Sequence, residues 1–214
     1  MFSRLWQWVS QRLRLARSHG PSLKHGASAP VSNPDYAALV DILARNAEYL
    51  PDNAAIAGLD MAPAYLRAMA EPSLVQYHDG YSECYRFLWM RSFQPTVMVR
   101  VDSKAEQHKL VAKSWEGMPL PAMGRSGHDT SRALTAEESK SFRDLLKQVR
   151  FWKLETQSTR QGLDGAYWVL EGRSASEHRV VVRWSPDADG PDRAFRELCA
   201  FMLHIGGIEL TSAA

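Results

Sequence analysis

The sequence predicts an α+β fold, an antiparallel sheet of about five strands packed by two main helices. Three observations carry that expectation. Segments with a period of two arrive in neighbouring pairs, each pair is followed by a segment with helical periodicity, and the order strand, strand, helix occurs twice. Val97-Met98-Val99-Arg100-Val101 is echoed by Val180-Val181-Val182-Arg183-Trp184, and Phe142-Arg143-Asp144-Leu145-Leu146 by Phe195-Arg196-Glu197-Leu198-Cys199. An internal duplication with a pseudo-two-fold axis and a shared core is the simplest reading.

Four regions follow from composition. Residues 1–17 are a basic amphipathic helix, with Phe2, Leu5, Trp6, Val9 and Leu13 on one face and Arg4, Gln7, Gln11 and Arg14 on another. Its apolar run is too short to cross a bilayer and too broken for a secretory signal. Phe2, Arg4, Leu5, Trp6, Val9 and Arg12 are the candidate contacts with an anionic membrane surface. Docking on the body or on a partner, or disorder, are the alternatives. Residues 18–34, rich in Gly, Ser, Pro and Ala, read as a flexible linker.

Residues 35–80 form a helical preamble. One helix begins at Asn33-Pro34-Asp35 and carries Tyr36, Leu39, Val40, Leu43 and Ala47 inward, and a second spans Ala62 to Ala70 and closes at Pro72. The pair is read as a cover for the sheet, blocking an open edge.

Residues 81–214 form the α+β domain with its two strand-strand-helix units. Tyr85 to Phe93 is apolar on both faces, which places it centrally. Val97–Val101 and a weaker strand from His108 to Trp115 follow, and Trp115 to Ser131, with five Gly and Pro residues, reads as a loop. Thr135 and Glu138 form a capping box that opens a helix with core stripe Phe142, Leu145, Leu146, Val149 and Trp152. Strands at Ala166–Gly172 and His178–Trp184 and a helix between Gly190-Pro191 and Gly206-Gly207 complete the chain.

Charge narrows the partners. The first 34 residues contain Arg4, Arg12, Arg14, Arg17 and Lys24 and no acid, so the other 180 hold 21 basic and 24 acidic residues, a net of −3. A mildly acidic body argues against a nucleic-acid surface. Glycine-rich phosphate loops and the GxSxG elbow do not occur in the sequence. Cys84 and Cys199 are not in a CxxC pair and read as core thiols in a reducing compartment. Cys84 beside His78-Asp79 is the one candidate for thiol catalysis, and it immediately precedes an apolar strand where cysteine is packing. His78-Asp79 and His128-Asp129 sit in turn-like contexts and lack the third and fourth ligands that a metal needs. No catalytic residue, metal or cofactor is assigned.

Trp168, His178, Arg183, Trp184 and Asp164 are the candidate ligand-binding residues, an aromatic and cationic group suited to a carboxylate or phosphate. A hairpin whose tryptophans fill the core and whose arginine snorkels outward is the competing reading. The Asp164-Gly165, Trp168 and Glu171 pattern, with His178, Arg183-Trp184-Ser185-Pro186, Phe195 and Leu198-Cys199, resembles a group of bacterial proteins of unknown function over the last sixty residues or so. The resemblance implies no activity.

The function expected from the sequence is a non-enzymatic binding or adaptor domain for a protein or small molecule, cytoplasmic and at the inner face of a membrane. An enzyme of uncommon type using Trp168, His178 and Arg183, and a stoichiometric inhibitor of immunity type, are the alternatives.

Overall fold

The computed structural model describes residues 49, 59, 61–76, 80–119, 123–158, 162 and 164–210. The expected amphipathic helix of residues 1–17, the linker 18–34, and the first preamble helix lie outside the described residues, as do His78 and Asp79.

The elements in order are α1 (Ala62–Ala68), β1 (Glu83–Arg91), β2 (Thr96–Lys104), β3 (Gln107–Gly117), β4 (Gly124–Ala133), α2 (Ala136–Val149), a 3-10 turn (Phe151–Lys153), β5 (Ala166–Ser174), β6 (His178–Trp184) and α3 (Arg193–Ile205). The strands form one sheet in the order β4-β3-β2-β1-β5-β6, antiparallel throughout. This is the α+β architecture the sequence predicts, with six strands in place of about five. The extra strand is β4, most of which falls in the stretch expected to be a loop. Its side chains are exposed or only partly covered, so it has no apolar alternation to betray it. Backbone pairing with β3, not burial, makes it a strand.

Alternation along each strand divides the sheet into two faces. Tyr85, Phe87, Trp89, Val97, Val99, Val101, Leu110, Ala112, Trp168, Leu170 and Val181 face α2 and α3. Both helices are set by their ends and their stripes. Thr135 Oγ1 accepts from Glu138 N while the Glu138 carboxylate accepts from Thr135 N, the expected capping box, and Arg150 ends α2 in the left-handed region at φ 51°. α3 turns Phe195, Leu198, Cys199, Met202, Leu203 and Ile205 into the core. Each such side chain contributes roughly 1.5–3 kcal/mol on burial.

Tyr85 meets Phe142, Phe151 and Trp152 at ring-centroid distances of 5.7, 5.5 and 5.9 Å. Gly172 on β5 makes room for this cluster, because a Cβ there would stand 2.3 Å from Phe151 Cε1.

The opposite face is apolar over one half, where Leu88, Met90, Met98, Val111, Val169, Val180 and Val182 pack beneath Leu59, Ala62, Leu66 and Met69. The described part of the preamble thus covers a face of the sheet, not an edge. The β6 edge is partly closed by residues 156–157, through Val182 N donating to Thr156 O at 2.7 Å and a parallel bridge from Gln157. The β4 edge carries Arg125, His128, Asp129 and Arg132, the charged dressing that discourages strand addition.

The order β2-β1-β5-β6 is what two strand pairs related by a two-fold axis would produce. The sequence echo nevertheless matches residues of opposite facing. Val97 and Val99 join the core under the helices, whereas Val180 and Val182, their counterparts in the echo, join the core under α1. A one-residue offset in a strand exchanges its faces, so the echo reflects a shared β-rich pattern and not equivalent positions.

Candidate functional site

Beyond its apolar half, the face under α1 carries charge. Two adjacent cross-strand rows hold it. In one, His178 on β6 stands opposite Arg173 on β5, then Cys84 on β1, Asp102 on β2 and Lys109 on β3. In the next, Val180 is followed by Glu171, Arg86, Arg100 and Val111. The sheet builds the rows: these residues occupy alternate positions in strands whose remaining side chains fill the helix-side core.

Arg86 is the best buried of the cations. Its Nε and Nη2 both donate to Glu171 Oε2, at 3.0 and 2.5 Å, and Nη1 donates to Pro72 O at 2.6 Å. His178 Nε2 lies 2.8 Å from Glu171 Oε1, so both carboxylate oxygens are engaged. Burial alone would raise the Glu171 carboxyl, but the Arg86 charge and the His178 contact outweigh it and hold the group below the ordinary carboxylate value.

Arg100 is bound on two sides, with Nε donating to Glu71 Oε2 at 2.8 Å and Nη1 to Asp102 Oδ2 at 2.6 Å. Lys113 donates to Met69 O at 2.8 Å and pairs by charge with Glu71 Oε1 at 2.9 Å. Glu71 reaches this position because the chain reverses after α1. Ala70 takes φ 53°, Ala70 N donates to Arg67 O and Glu71 N to Leu66 O, which turns the next side chain down onto the sheet.

Beside the Glu71 contact opens a cleft of about 410 Å³, lined by Ala70, Glu71, Pro72, Tyr81, Arg100, Asp102 and Lys109. Asp102 is among its lining residues, almost wholly buried, with Oδ2 accepting from Arg100 and the Cys84 thiol as a further neighbour. Lys109 lies at its rim, exposed, and makes no ion pair among the described residues. Cys84 is buried beside Asp102; burial first, and then the Asp102 charge and hydrogen bond, push its thiol well above the ordinary value. It is a protonated packing thiol and not an activated nucleophile. Among the described residues no group of three His, Cys, Asp or Glu is placed to hold a metal.

The residues singled out from sequence are divided between the faces. Trp168 and Arg183 stand opposite each other on the helix side. Trp168 packs with Phe87 and Trp89 at 5.3 and 5.5 Å. Arg183 lies over the Phe195 ring at 5.5 Å, with Nε donating to Asp192 Oδ1 at 2.5 Å. His178 and Trp184 lie on the other face, Trp184 edge-on to Tyr167 at 4.6 Å. Asp164 is exposed in the turn before β5. Trp168, His178 and Arg183 therefore do not line one space.

The residues that do converge, Glu71, Arg86, Arg100, Asp102, Lys113 and Glu171, were not predicted. A signal was present in Arg86 between Tyr85 and Phe87, and in Arg100 between Val99 and Val101: charges inside apolar runs, which need partners if buried. Those partners come from other strands and from α1, so only the register reveals them.

No protein-family model, curated protein or solved structure matches this chain. No helix of the described residues is long and apolar enough to cross a membrane.

Proposed function

We propose that this chain is a non-enzymatic binding module that takes its ligand in the cleft between the turn after α1 and the ends of β2 and β3. The observation that supports this reading is the cleft itself. It opens directly on Arg100 and Asp102, whose positions are set by ion pairs on either side. A charged site held rigid before the ligand arrives loses little ordering entropy on binding. Its volume falls within the range typical of small-molecule sites. The amphipathic character of residues 2–16 adds a second element, an anchor on an anionic membrane surface, with the module presented from it.

The cleft reading is tested by incubating the full chain with a fractionated small-molecule extract, re-isolating it rapidly and identifying co-eluting compounds by mass spectrometry. A compound retained in stoichiometric amount by the wild type and lost from Lys109→Glu is the expected result. Retention of nothing, or equal retention by the variant, counts against the cleft.

A further inference from the structure

The buried charges beside the cleft balance, and the exposed ones do not. Glu71 and Asp102 are almost wholly buried, and Arg100 and Lys113 meet their charge in the ion pairs described above. Lys109 stands exposed at the rim. A second exposed lysine joins it from the neighbouring strand. Lys104 ends β2 opposite Gln107, on the same face as Arg100 and Asp102. It is therefore the diagonal neighbour of Lys109, roughly 7–8 Å away across the sheet. Its Nζ lies 3.9 Å from where a Cβ on Gly80 would stand. The ammonium thus sits beside the segment that brings Tyr81 to the cleft wall.

Among the described residues neither lysine forms an ion pair. Two acids at this end of the sheet are drawn to its other side. Tyr85 Oη donates to Glu83 Oε2 at 3.4 Å, and Glu106 pairs with Arg143 of α2 at 3.2 Å. The rim keeps two positive charges that a ligand can reach, above buried groups that sum to none. Side-by-side ammoniums repel, and an anion seated between them relieves that repulsion.

Resting on the cleft reading above, we infer that the ligand is a small phosphomonoester. Its phosphate sits between Lys104 and Lys109 at the mouth, and its organic part enters the cleft towards Tyr81 and Pro72. A phosphomonoester carries about −1.5 to −2 charges at pH 7 on one group with three acceptor oxygens, which matches the two lysines. A planar carboxylate is best held by a guanidinium fork, and the fork at this cleft, Arg100, is already engaged by Glu71 and Asp102. A dicarboxylate would divide the same charge between two such groups. A cation would meet repulsion at the rim.

The test is a titration of the full chain followed by amide NMR, with glycerol 3-phosphate, inorganic phosphate, succinate and putrescine as probes. Saturable shifts at Tyr81, Lys104 and Lys109 are expected with the two phosphates, glycerol 3-phosphate binding at least tenfold more tightly than succinate. Lys104→Gln and Lys109→Gln should each weaken glycerol 3-phosphate about tenfold, the loss of one charge-assisted contact. Both side chains are exposed, so the variants keep the fold. Lys147→Gln removes the same charge from an exposed position on α2 and should change nothing. Equal weakening by Lys147→Gln would show a diffuse attraction and overturn the inference. Succinate binding as tightly as glycerol 3-phosphate overturns the ligand class while leaving the cleft as an anion site. Absence of shifts with both phosphates also overturns it, and the extract experiment then judges the cleft without reference to ligand class.

Discussion

Arg86 and Arg100 stand directly opposite each other on β1 and β2, two like charges on one buried face. Such a pair is repulsive unless carboxylates flank it, and here Glu171 takes one arginine while Glu71 and Asp102 take the other. The preamble is thus tied to the sheet by charge as well as by apolar packing. Glu71 and the Pro72 carbonyl are the ties, and both come from the turn that ends α1.

Removing one partner strands a buried charge. Glu171→Leu should destabilise the fold by about 3–5 kcal/mol, whereas Arg86→Met with Glu171→Leu should recover most of that loss, since an apolar pair needs no compensation. Urea denaturation of both variants reads the difference. A double variant as unstable as the single one would mean that Arg86 matters chiefly through Pro72.

Acid should act through the same group. The folded Glu171 carboxyl lies below its ordinary value, so the unfolded chain takes up a proton first as pH falls. Its contribution is fully present above the unfolded carboxylate value of about 4.3 and is lost as pH falls through the folded value. Glu138 behaves alike, held at about 2 by its hydrogen bonds with Arg132 and, more weakly, by the cap at Thr135. Denaturation midpoints between pH 2 and pH 7 should fall less steeply for Glu171→Gln than for the wild type. An unchanged acid limb would remove Glu171 from the account.

Much of the fold was legible because it rests on alternation and capping. β1, β2, β5 and β6 carry apolar side chains on at least one face, and Thr135 with Glu138 marks the start of α2 in the sequence alone. β4 was not legible, since an exposed polar edge strand has no apolar period. The site was hidden for a different reason. Trp168 and His178 look like neighbours in sequence, but strand parity sends them to opposite faces, while Glu71 and Arg100, 29 positions apart, make contact.

Gly172 offers a test of the helix-side core. Alanine there would drive Cβ into Phe151, and the ring is held by Tyr85 and Trp152. Gly172→Ala should lose about 1–3 kcal/mol through overpacking. Adding Phe151→Leu should offset part of the loss, giving a measurable coupling in a double-mutant cycle. Additive effects would show that the ring yields without strain.

Both cysteines should be chemically silent until the chain opens. Cys84 and Cys199 are buried, and burial raises both thiols well above the ordinary value. A thiol reagent at neutral pH should therefore label neither in the native state and two per chain in denaturant. Rapid native labelling at Cys84 would mean that the cleft end opens locally, because that thiol is the cross-strand neighbour of Asp102, which lines the cleft.

The proposed membrane anchor yields the last prediction. Phe2, Leu5, Trp6 and Val9 supply an apolar stripe, and Arg4 and Arg12 supply charge in a stretch free of acids, while the rest of the chain is net acidic. Attraction between such a segment and anionic lipid is screened within roughly 8–10 Å at 0.1–0.15 M salt. The full chain should therefore float with anionic vesicles at low salt, and less at high salt. It should not float with neutral ones, and a chain beginning at Asn33 should stay at the bottom of the gradient in every case. Because the acidic body is itself repelled by anionic lipid, binding that survives removal of residues 1–32 would have to come from another surface, and the anchor would be abandoned. Equal recovery on neutral vesicles would also discard the electrostatic part, leaving insertion of the apolar stripe as the only source of affinity.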